Sequence, residues 1–215
     1  MVDIDLPISN GNSFIPIPKN AGTSIAHHFR QHNWPVLTDG HDYKRRLAKR
    51  EIVVIRDPAE RFVSAFNYSQ RYWPSPVNAQ FSDANELAES AGDPSHPRYD
   101  LAWVELGNRP EDYLRRNGEP QELHTVADRV LAFTFAYEPQ SSWLINHPAC
   151  ILRFRHLRAD IESLAVELGV DCEVRLPLLN PSELPVPTLS AAARAFIEHT
   201  YADDYRFIRI HSIDV

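Results

Sequence analysis

A run of four β-branched residues, IVVI at positions 52–55, constrains the fold of this 215-residue chain more than any other feature. Branching at Cβ favours extended backbone, and an uninterrupted apolar run lacks the alternation of a strand with one wet face. The run therefore predicts a strand that is buried on both faces, as the strands of parallel sheets are. Pro58 follows two residues later and suits the first turn of a helix, which we expect over residues 58–71.

The N-terminal part of the chain has the same order of elements. Residues 13–17, SFIPI, predict a first strand, although Pro16 cannot donate a ladder hydrogen bond. A turn follows, and a helix is expected to begin at Thr23 or Ser24 and to run to about His32. Strand, loop and helix in this order, repeated, predict an α/β fold with a parallel sheet.

Three of the elements that we expect in the second half of the chain have clear local signals. Residues 150–154 predict a further strand, and residues 157–168 predict an amphipathic helix. Ser190 is placed to cap a last helix.

The length favours a single domain over residues 1–215. Residues 72–100 are rich in Pro, Ser, Asp and Asn, and this predicts a long insertion or lid, at about 72–150, of the kind that is often functional.

Charge and composition exclude some classes of function. The net charge of −7 argues against a broad nucleic-acid surface, which needs a basic footprint. We expect no signal peptide and no membrane span, because neither a basic start nor a long apolar window occurs. The two cysteines, Cys150 and Cys172, make no disulfide framework, so a cytoplasmic location is expected, with a fragment of a longer, membrane-tethered protein as the alternative. Nothing in the composition predicts an oligomeric state.

Residues 18–24, PKNAGTS, lie where the first strand leads into the first helix. The start of a helix has unpaired N–H groups and a partial positive charge, and Lys19 adds a full charge. Gly22 lets the backbone approach a ligand, and Thr23 and Ser24 add hydroxyl donors. This combination predicts a cradle for phosphate or sulfate, with an ordinary strand-to-helix turn as the alternative. It is not a Walker A loop, because the lysine precedes the segment's only glycine.

A second group of polar residues follows the IVVI strand. Arg56 lies where this strand ends, at the usual ligand edge of an open α/β sheet. Arg61, Ser64 and Tyr68 share a helix face by their spacing and could clamp a second phosphate. The alternative for Arg61 is a surface ion pair with an acidic neighbour in the first turn.

The two segments together resemble the sulfotransferases that depend on 3′-phosphoadenosine 5′-phosphosulfate (PAPS). The first is similar to their P-K-[TN]-[AG]-G-T-S loop, and the second to their R-D-P-x-x-R-x-x-S-x-x-x-Y motif. The carbohydrate-type branch is the nearest in pattern. Further segments of this chain that fit that branch are residues 140–144, 151–157, 176–182 and 201–205. The resemblance spans roughly residues 13–208.

The resemblance implies a three-layer, P-loop-like fold around a central parallel sheet, with PAPS as cofactor and 3′,5′-ADP as its product. It implies transfer of a sulfuryl group to a hydroxyl acceptor, with a carbohydrate expected. The residues it assigns to the 5′-phosphosulfate are Lys19, Asn20, Ala21, Gly22, Thr23 and Ser24. Those it assigns to the 3′-phosphate are Arg56 and Ser64. The sequence departs from the pattern at Asn20, where many relatives have threonine, and at Pro16, where histidine is usual.

Sulfuryl transfer needs a base for the acceptor hydroxyl, and histidine titrates in the right range. His41 follows Gly40 between the two motifs, as the similar histidine of the carbohydrate-type enzymes does. We therefore predict His41 as the base, with a surface turn histidine as the alternative. Lys19 would stabilise the charge that develops on the bridging phosphate oxygen. No metal is required by this chemistry.

Two other functions remain open at this point. A kinase-like phosphotransferase would need a lysine after the glycine and carboxylates for Mg²⁺. A binding module that kept the nucleotide fold without catalysis is the other alternative. The resemblance implies a sugar as acceptor or, more rarely, a peptide or a small molecule. Tyr72, Trp73 and Tyr99 could stack on a sugar or a phenol, although these rings could equally pack the lid.

Overall fold

The computed structural model describes residues 11–38, 50–72, 74, 77–107, 135–144, 148–177 and 187–215. Its strands are β1 (Asn12–Ile15), β2 (Arg50–Ile55) and β3 (Cys150–Arg153). Its α-helices are α1 (Gly22–Gln31), α2 (Pro58–Tyr72), α3 (Ala84–Gly92), α4 (Tyr99–Glu105), α5 (Leu157–Leu168), α6 (Ala191–Thr200) and α7 (Ala202–Ile210). Short 3₁₀ turns cover Asn78–Gln80, Gln140–Trp143 and Phe154–His156. Within these ranges, no helix has both the length and the apolar character needed to cross a membrane.

The three strands form one parallel sheet in the order β1-β2-β3. Ile52 pairs with Phe14 on one side and with Cys150 on the other, so β2 is the central strand. Ile52 and Val53 point to opposite faces of the sheet, and both are 0% exposed. The prediction of a parallel α/β sheet whose central strand is buried on both faces is therefore confirmed.

The chain divides into two compact units, which are Met1–Arg56 with Gln140–Pro181 and Ile210–Val215, and Asp57–Pro139 with Ser182–Arg209. In the first unit, one face of the sheet packs against α1 and α5. Phe29 of α1 stacks on Trp34 at 4.6 Å and meets Phe14 of β1 edge-on at 5.6 Å. This packing holds α1 against the sheet, and the predicted anion cradle lies at the first turn of that helix, after β1.

The second unit packs α2, α3, α4 and α6 around an apolar core. Small residues on α3 let α6 come close, and an added Cβ at Gly92 would meet Phe196 at 3.2 Å. Ser190 caps α6, as predicted, by accepting a hydrogen bond from the Ala193 N–H. The expected division into a single domain with an insertion at about 72–150 stays a prediction.

The observed end of β1 and the observed start of α1 differ from the predicted ones. β1 ends at Ile15 instead of residue 17, because Pro16 has no N–H with which to continue the ladder. α1 begins at Gly22, slightly before the predicted start. The amphipathic helix over Leu157–Leu168 is confirmed, and Gly169 ends it in the left-handed conformation with φ 67°.

Candidate functional site

The first predicted motif and Arg56, the first residue of the second, meet at one edge of the sheet in the first unit. β1 and β2 are parallel neighbours, so their carboxyl ends lie side by side. The loop over residues 16–21 follows β1, and Arg56 follows β2 directly. Arg56 Nη1 donates a hydrogen bond to the carbonyl oxygen of Lys19 at 3.1 Å, across 37 positions of sequence. The structure thus brings together the lysine and the arginine that the sequence singled out.

The start of α1 is suited to an anion. Ala21 is its N-cap and offers no side-chain hydrogen bond, and Gly22 behind it is buried. The N–H groups of Gly22 and Thr23 belong to the first turn, so they have no acceptor within the helix. The Thr23 side chain is exposed, and that of Ser24 is buried. Donors at the positive end of the helix dipole favour a negatively charged ligand.

Gly22 is required by a close approach within the protein. A Cβ at this position would lie 2.9 Å from Pro16 Cβ and 3.2 Å from Pro16 Cα. Part of this clash is with backbone, which cannot move aside as a flexible side chain can. Pro16 is also the position where the resemblance led us to expect histidine. The role predicted for Gly22 toward a ligand stays a prediction, and its packing role is an additional constraint.

The loop between β1 and α1 has a strained backbone. Lys19 has φ 68° and Ala21 has φ 60°, and both lie in the left-handed region that favours glycine. Each such residue costs roughly 1–2 kcal/mol, and strain of this kind persists only where surrounding contacts hold it. The hydrogen bonds that hold this loop are made by Asn20, the residue between Lys19 and Ala21.

Asn20 ties the loop to the sheet. It is 1% exposed, and its Nδ2 donates to the carbonyl oxygen of Val54 at 2.7 Å and to Gln140 Oε1 at 2.6 Å. Its backbone N–H donates to the carbonyl oxygen of Ile17 at 3.2 Å. All three of its N–H bonds therefore point to protein acceptors. In this conformation Asn20 shapes the cradle and has no N–H left to donate to an anion.

Two cations lie close together at this edge of the sheet. Burial, and to a lesser degree the charge of Arg56, lower the pKa of Lys19 from 10.5 to about 8. The Arg56 guanidinium lies over the ring of Phe154, with its Cζ 4.1 Å from the ring centroid. An anion bound here would offset both effects on Lys19, since it would favour the charged ammonium.

Gln140 is the residue of this site that the sequence reasoning did not assign. It is 1% exposed, and its Oε1 accepts from the backbone N–H of Arg56 at 3.1 Å as well as from Asn20. Its Nε2 donates to the carbonyl oxygen of Arg56 at 2.8 Å. The available signal was its place at the head of residues 140–144, a segment that carries the resemblance.

The other predicted phosphate contacts lie on α2, in the second unit. Ser64 is half-buried there. Arg61 is 1% exposed, so the interpretation of a surface ion pair is wrong. Burial lowers the pKa of the Arg61 guanidinium, and the charges of Asp204 and Glu138 oppose that shift. Arg61 is thus a core cation whose surroundings are acidic.

Several predicted positions fall outside the described residues. They include His41, the predicted base, and Trp73, one of the candidate stacking residues. Of the other two, Tyr72 is 41% exposed and has its ring 4.7 Å from that of Tyr68. Tyr99 is half-buried and meets a tryptophan edge-on, which favours a packing role.

Comparison with known proteins finds no matching family model, no matching curated protein and no matching solved structure.

Proposed function

We propose that this protein is a PAPS-dependent sulfotransferase with a P-loop-like fold, and that it moves a sulfuryl group to a hydroxyl of a carbohydrate acceptor. The observation that supports this most is the hydrogen bond from Arg56 Nη1 to the Lys19 carbonyl oxygen. It joins the segment that resembles the 5′-phosphosulfate loop to the segment that resembles the 3′-phosphate motif. One ligand with an anion at each end would engage both.

The chemistry of the donor set fits such a ligand. Phosphate and sulfate oxygens accept hydrogen bonds only, and this edge of the sheet offers an ammonium, a guanidinium and first-turn N–H groups. Lys19 and the N–H groups of Gly22 and Thr23 would hold the 5′-phosphosulfate. Arg56 would contact the 3′-phosphate, as the resemblance implies.

Each residue has a defined part in the reaction. When bound, PAPS supplies a sulfuryl group attached to a good phosphate leaving group. Lys19 has a pKa of about 8, so most of it carries a proton at neutral pH and can offset charge on that leaving group. His41 accepts the proton of the acceptor hydroxyl. Asn20 and Pro16 maintain the shape of the loop and take no part in proton transfer.

The test is an acceptor screen with PAPS, in which mass spectrometry detects the gain of a sulfuryl group. The panel contains oligosaccharides, monosaccharides and phenols, each assayed with a chelator and with Mg²⁺. We expect transfer to a sugar hydroxyl that is independent of Mg²⁺. Phosphate transfer from ATP that requires Mg²⁺ would instead support the kinase-like alternative. Binding of 3′,5′-ADP without transfer to any acceptor would support a non-catalytic module.

Variants assign the roles. We expect His41→Ala to abolish transfer and to leave the affinity for 3′,5′-ADP nearly intact, because a base acts on the acceptor. We expect Lys19→Ala to weaken both binding and rate, because it removes contacts in the ground state and in the transition state. His27→Ala is the matched control, since His27 is exposed on α1 and should affect neither. Normal turnover by His41→Ala would remove His41 from the mechanism.

A further inference from the structure

We propose that Gln140 is the positioning residue that sets the distance between the Lys19 loop and Arg56, so that the two cations keep a fixed spacing for one anionic ligand. That the anion belongs to PAPS rests on the proposed function, whereas the positioning role does not. Gln140 acts through Asn20 and Arg56 and is not itself a catalytic residue.

The hydrogen bonds of Gln140 support this role. Its Oε1 accepts from Asn20 Nδ2 at 2.6 Å and from the Arg56 N–H at 3.1 Å, and its Nε2 donates to the Arg56 carbonyl oxygen at 2.8 Å. One amide side chain therefore binds both backbone groups of the first residue beyond β2. In this respect it substitutes for a neighbouring strand just where the ladder has ended.

The Gln140 side chain also holds the loop between β1 and α1, through its hydrogen bond with Asn20. Asn20 shares its Nδ2 between Gln140 and the carbonyl oxygen of Val54, so the loop is tied to β2 itself and to the residue that follows it. Lys19 and Ala21, the two strained residues, flank Asn20 directly. Strained backbone needs surrounding contacts that over-determine it, and the Asn20–Gln140 pair supplies them.

Loss of this tie has a specific consequence. Without Gln140, the loop keeps the Asn20 bond to Val54 and the Arg56 bond to the Lys19 carbonyl oxygen, but it loses the bonds that hold Asn20 and the Arg56 backbone on one acceptor. The spacing between the loop and the arginine is then less well fixed. Lys19 would then feel less of the charge of Arg56 and more of the solvent. A shift of about 1 Å in a binding group is enough to lower affinity or rate by as much as about a hundredfold.

The experiment compares Gln140→Met with Gln70→Met in the full chain. Met has nearly the shape of Gln but cannot make the hydrogen bonds. Gln70 is the matched control, because its Nε2 donates to the carbonyl oxygens of Asn78 at 3.0 Å and Phe81 at 2.9 Å in the second unit. Both variants lose amide hydrogen bonds to backbone, so a general loss of stability should appear in both.

The readout is the titration of Lys19 by NMR after ¹³C-methylation of the lysines. The chain has only three lysines, Lys19, Lys44 and Lys49, and Lys19→Arg identifies the signal. The pKa of Lys19 is about 8 in the wild type. We expect Gln140→Met to raise it toward the ordinary value and Gln70→Met to leave it unchanged. Gln140→Asn, which keeps an amide but is too short to reach both partners, serves if the methionine variant does not fold.

A second readout separates this proposal from the proposed function. We expect the affinity for 3′,5′-ADP to fall by about tenfold to a hundredfold in Gln140→Met and to stay unchanged in Gln70→Met. If the wild type does not bind 3′,5′-ADP but Lys19 responds to Gln140 as expected, the cofactor assignment fails and the positioning role stands. An unchanged Lys19 titration in a folded Gln140 variant would overturn the positioning role, whatever the affinity for 3′,5′-ADP.

Discussion

The two units each contain a buried polar network, and the two networks differ in charge. In the first unit, Asn20, Gln140 and Arg56 form a network at the edge of the sheet, beside Lys19. Most of its hydrogen bonds go to backbone groups. Its charged members are both cations.

The network of the second unit is built on side chains between helices. Asn78 Nδ2 donates to Ser69 Oγ at 2.7 Å, and Ser69 Oγ donates to Glu105 Oε1 at 3.1 Å. The Tyr137 hydroxyl donates to the same oxygen at 3.3 Å. Glu105 is 4% exposed, and burial raises its pKa from 4.5 to about 7.

Burial is the main cause of both pKa shifts, and it acts in opposite directions on an acid and on a base. Burial favours the neutral form of Glu105, which the carboxyl reaches by taking up a proton, without a bound ligand. It also disfavours charged Lys19, but there the neighbouring charge of Arg56 adds to the effect. Two like charges held side by side favour the binding of an anion more strongly than buried polarity alone does. That difference is why the first network, and not the second, is the candidate site.

The largest expected effect concerns Glu105. Its pKa is higher in the folded state than in the unfolded chain, so the stability it contributes is fully present below about pH 4.5 and is lost as pH rises to about 7. We expect the free energy of unfolding to fall by about 3 kcal/mol over that interval. Glu105→Gln should remove this component, as urea denaturation at pH 5 and pH 8 would measure. Glu198→Gln, at an exposed position of α6, is the control and should keep the wild-type dependence. An unaltered dependence in Glu105→Gln would show that Glu105 does not titrate as described.

The next largest effect is expected for Gly22→Ala, with Gly92→Ala in the second unit as the comparison. Gly22→Ala places a Cβ 2.9 Å from Pro16 Cβ and 3.2 Å from its Cα, so the backbone must shift. We expect a loss of about 2 kcal/mol in stability and weaker binding of 3′,5′-ADP. In the second unit, Gly92→Ala meets only the side chain of Phe196, at 3.2 Å. That variant should change stability by less than about 1 kcal/mol and leave binding unchanged, because a helical alanine offsets the tighter contact. Thermal unfolding measures the stability of the two variants, and titration calorimetry measures their affinity for 3′,5′-ADP. Equal losses in both variants would contradict this expectation.

The smallest expected effect concerns Lys19, whose contribution to stability changes with pH in the direction opposite to that of Glu105. The pKa of Lys19 is lower in the folded state than in the unfolded chain, so the unfolded chain binds more protons between about pH 8 and pH 10.5. The wild type should therefore gain stability over that interval. Most of the penalty is present at pH 7, but solvent screens the partly exposed ammonium. We therefore expect Lys19→Met to be more stable by only about 1–2 kcal/mol while losing affinity for 3′,5′-ADP. Denaturation of the wild type and of Lys19→Met at pH 7 and pH 10 measures how much stability the variant gains and how far that gain declines as pH rises. Arg194→Met, at an exposed position of α6, should show neither change, and a destabilised Lys19→Met would contradict the expectation.

Local patterns predicted most of the elements correctly. The β-branched run, the stripe of the Leu157–Leu168 helix and the Ser190 cap each depend on residues close together in sequence. The end of β1 was misplaced because its apolar pattern continues through Pro16, whereas hydrogen bonding cannot. The surface ion pair, the alternative interpretation of Arg61, is wrong because helix spacing shows which residues share a face and not whether that face is buried.

The sequence by itself determined the parallel α/β sheet and the place of Lys19 and Arg56 at its edge, because parallel strands that precede helices bring their carboxyl ends to the same side. Only the tertiary structure decided what holds that edge together. Asn20 and Gln140 are 120 positions apart, and Ser69 and Glu105 are 36 apart, so no local pattern relates them. Such pairs form only where packing encloses both side chains, since a buried polar group must find its partner among the groups that the fold brings beside it.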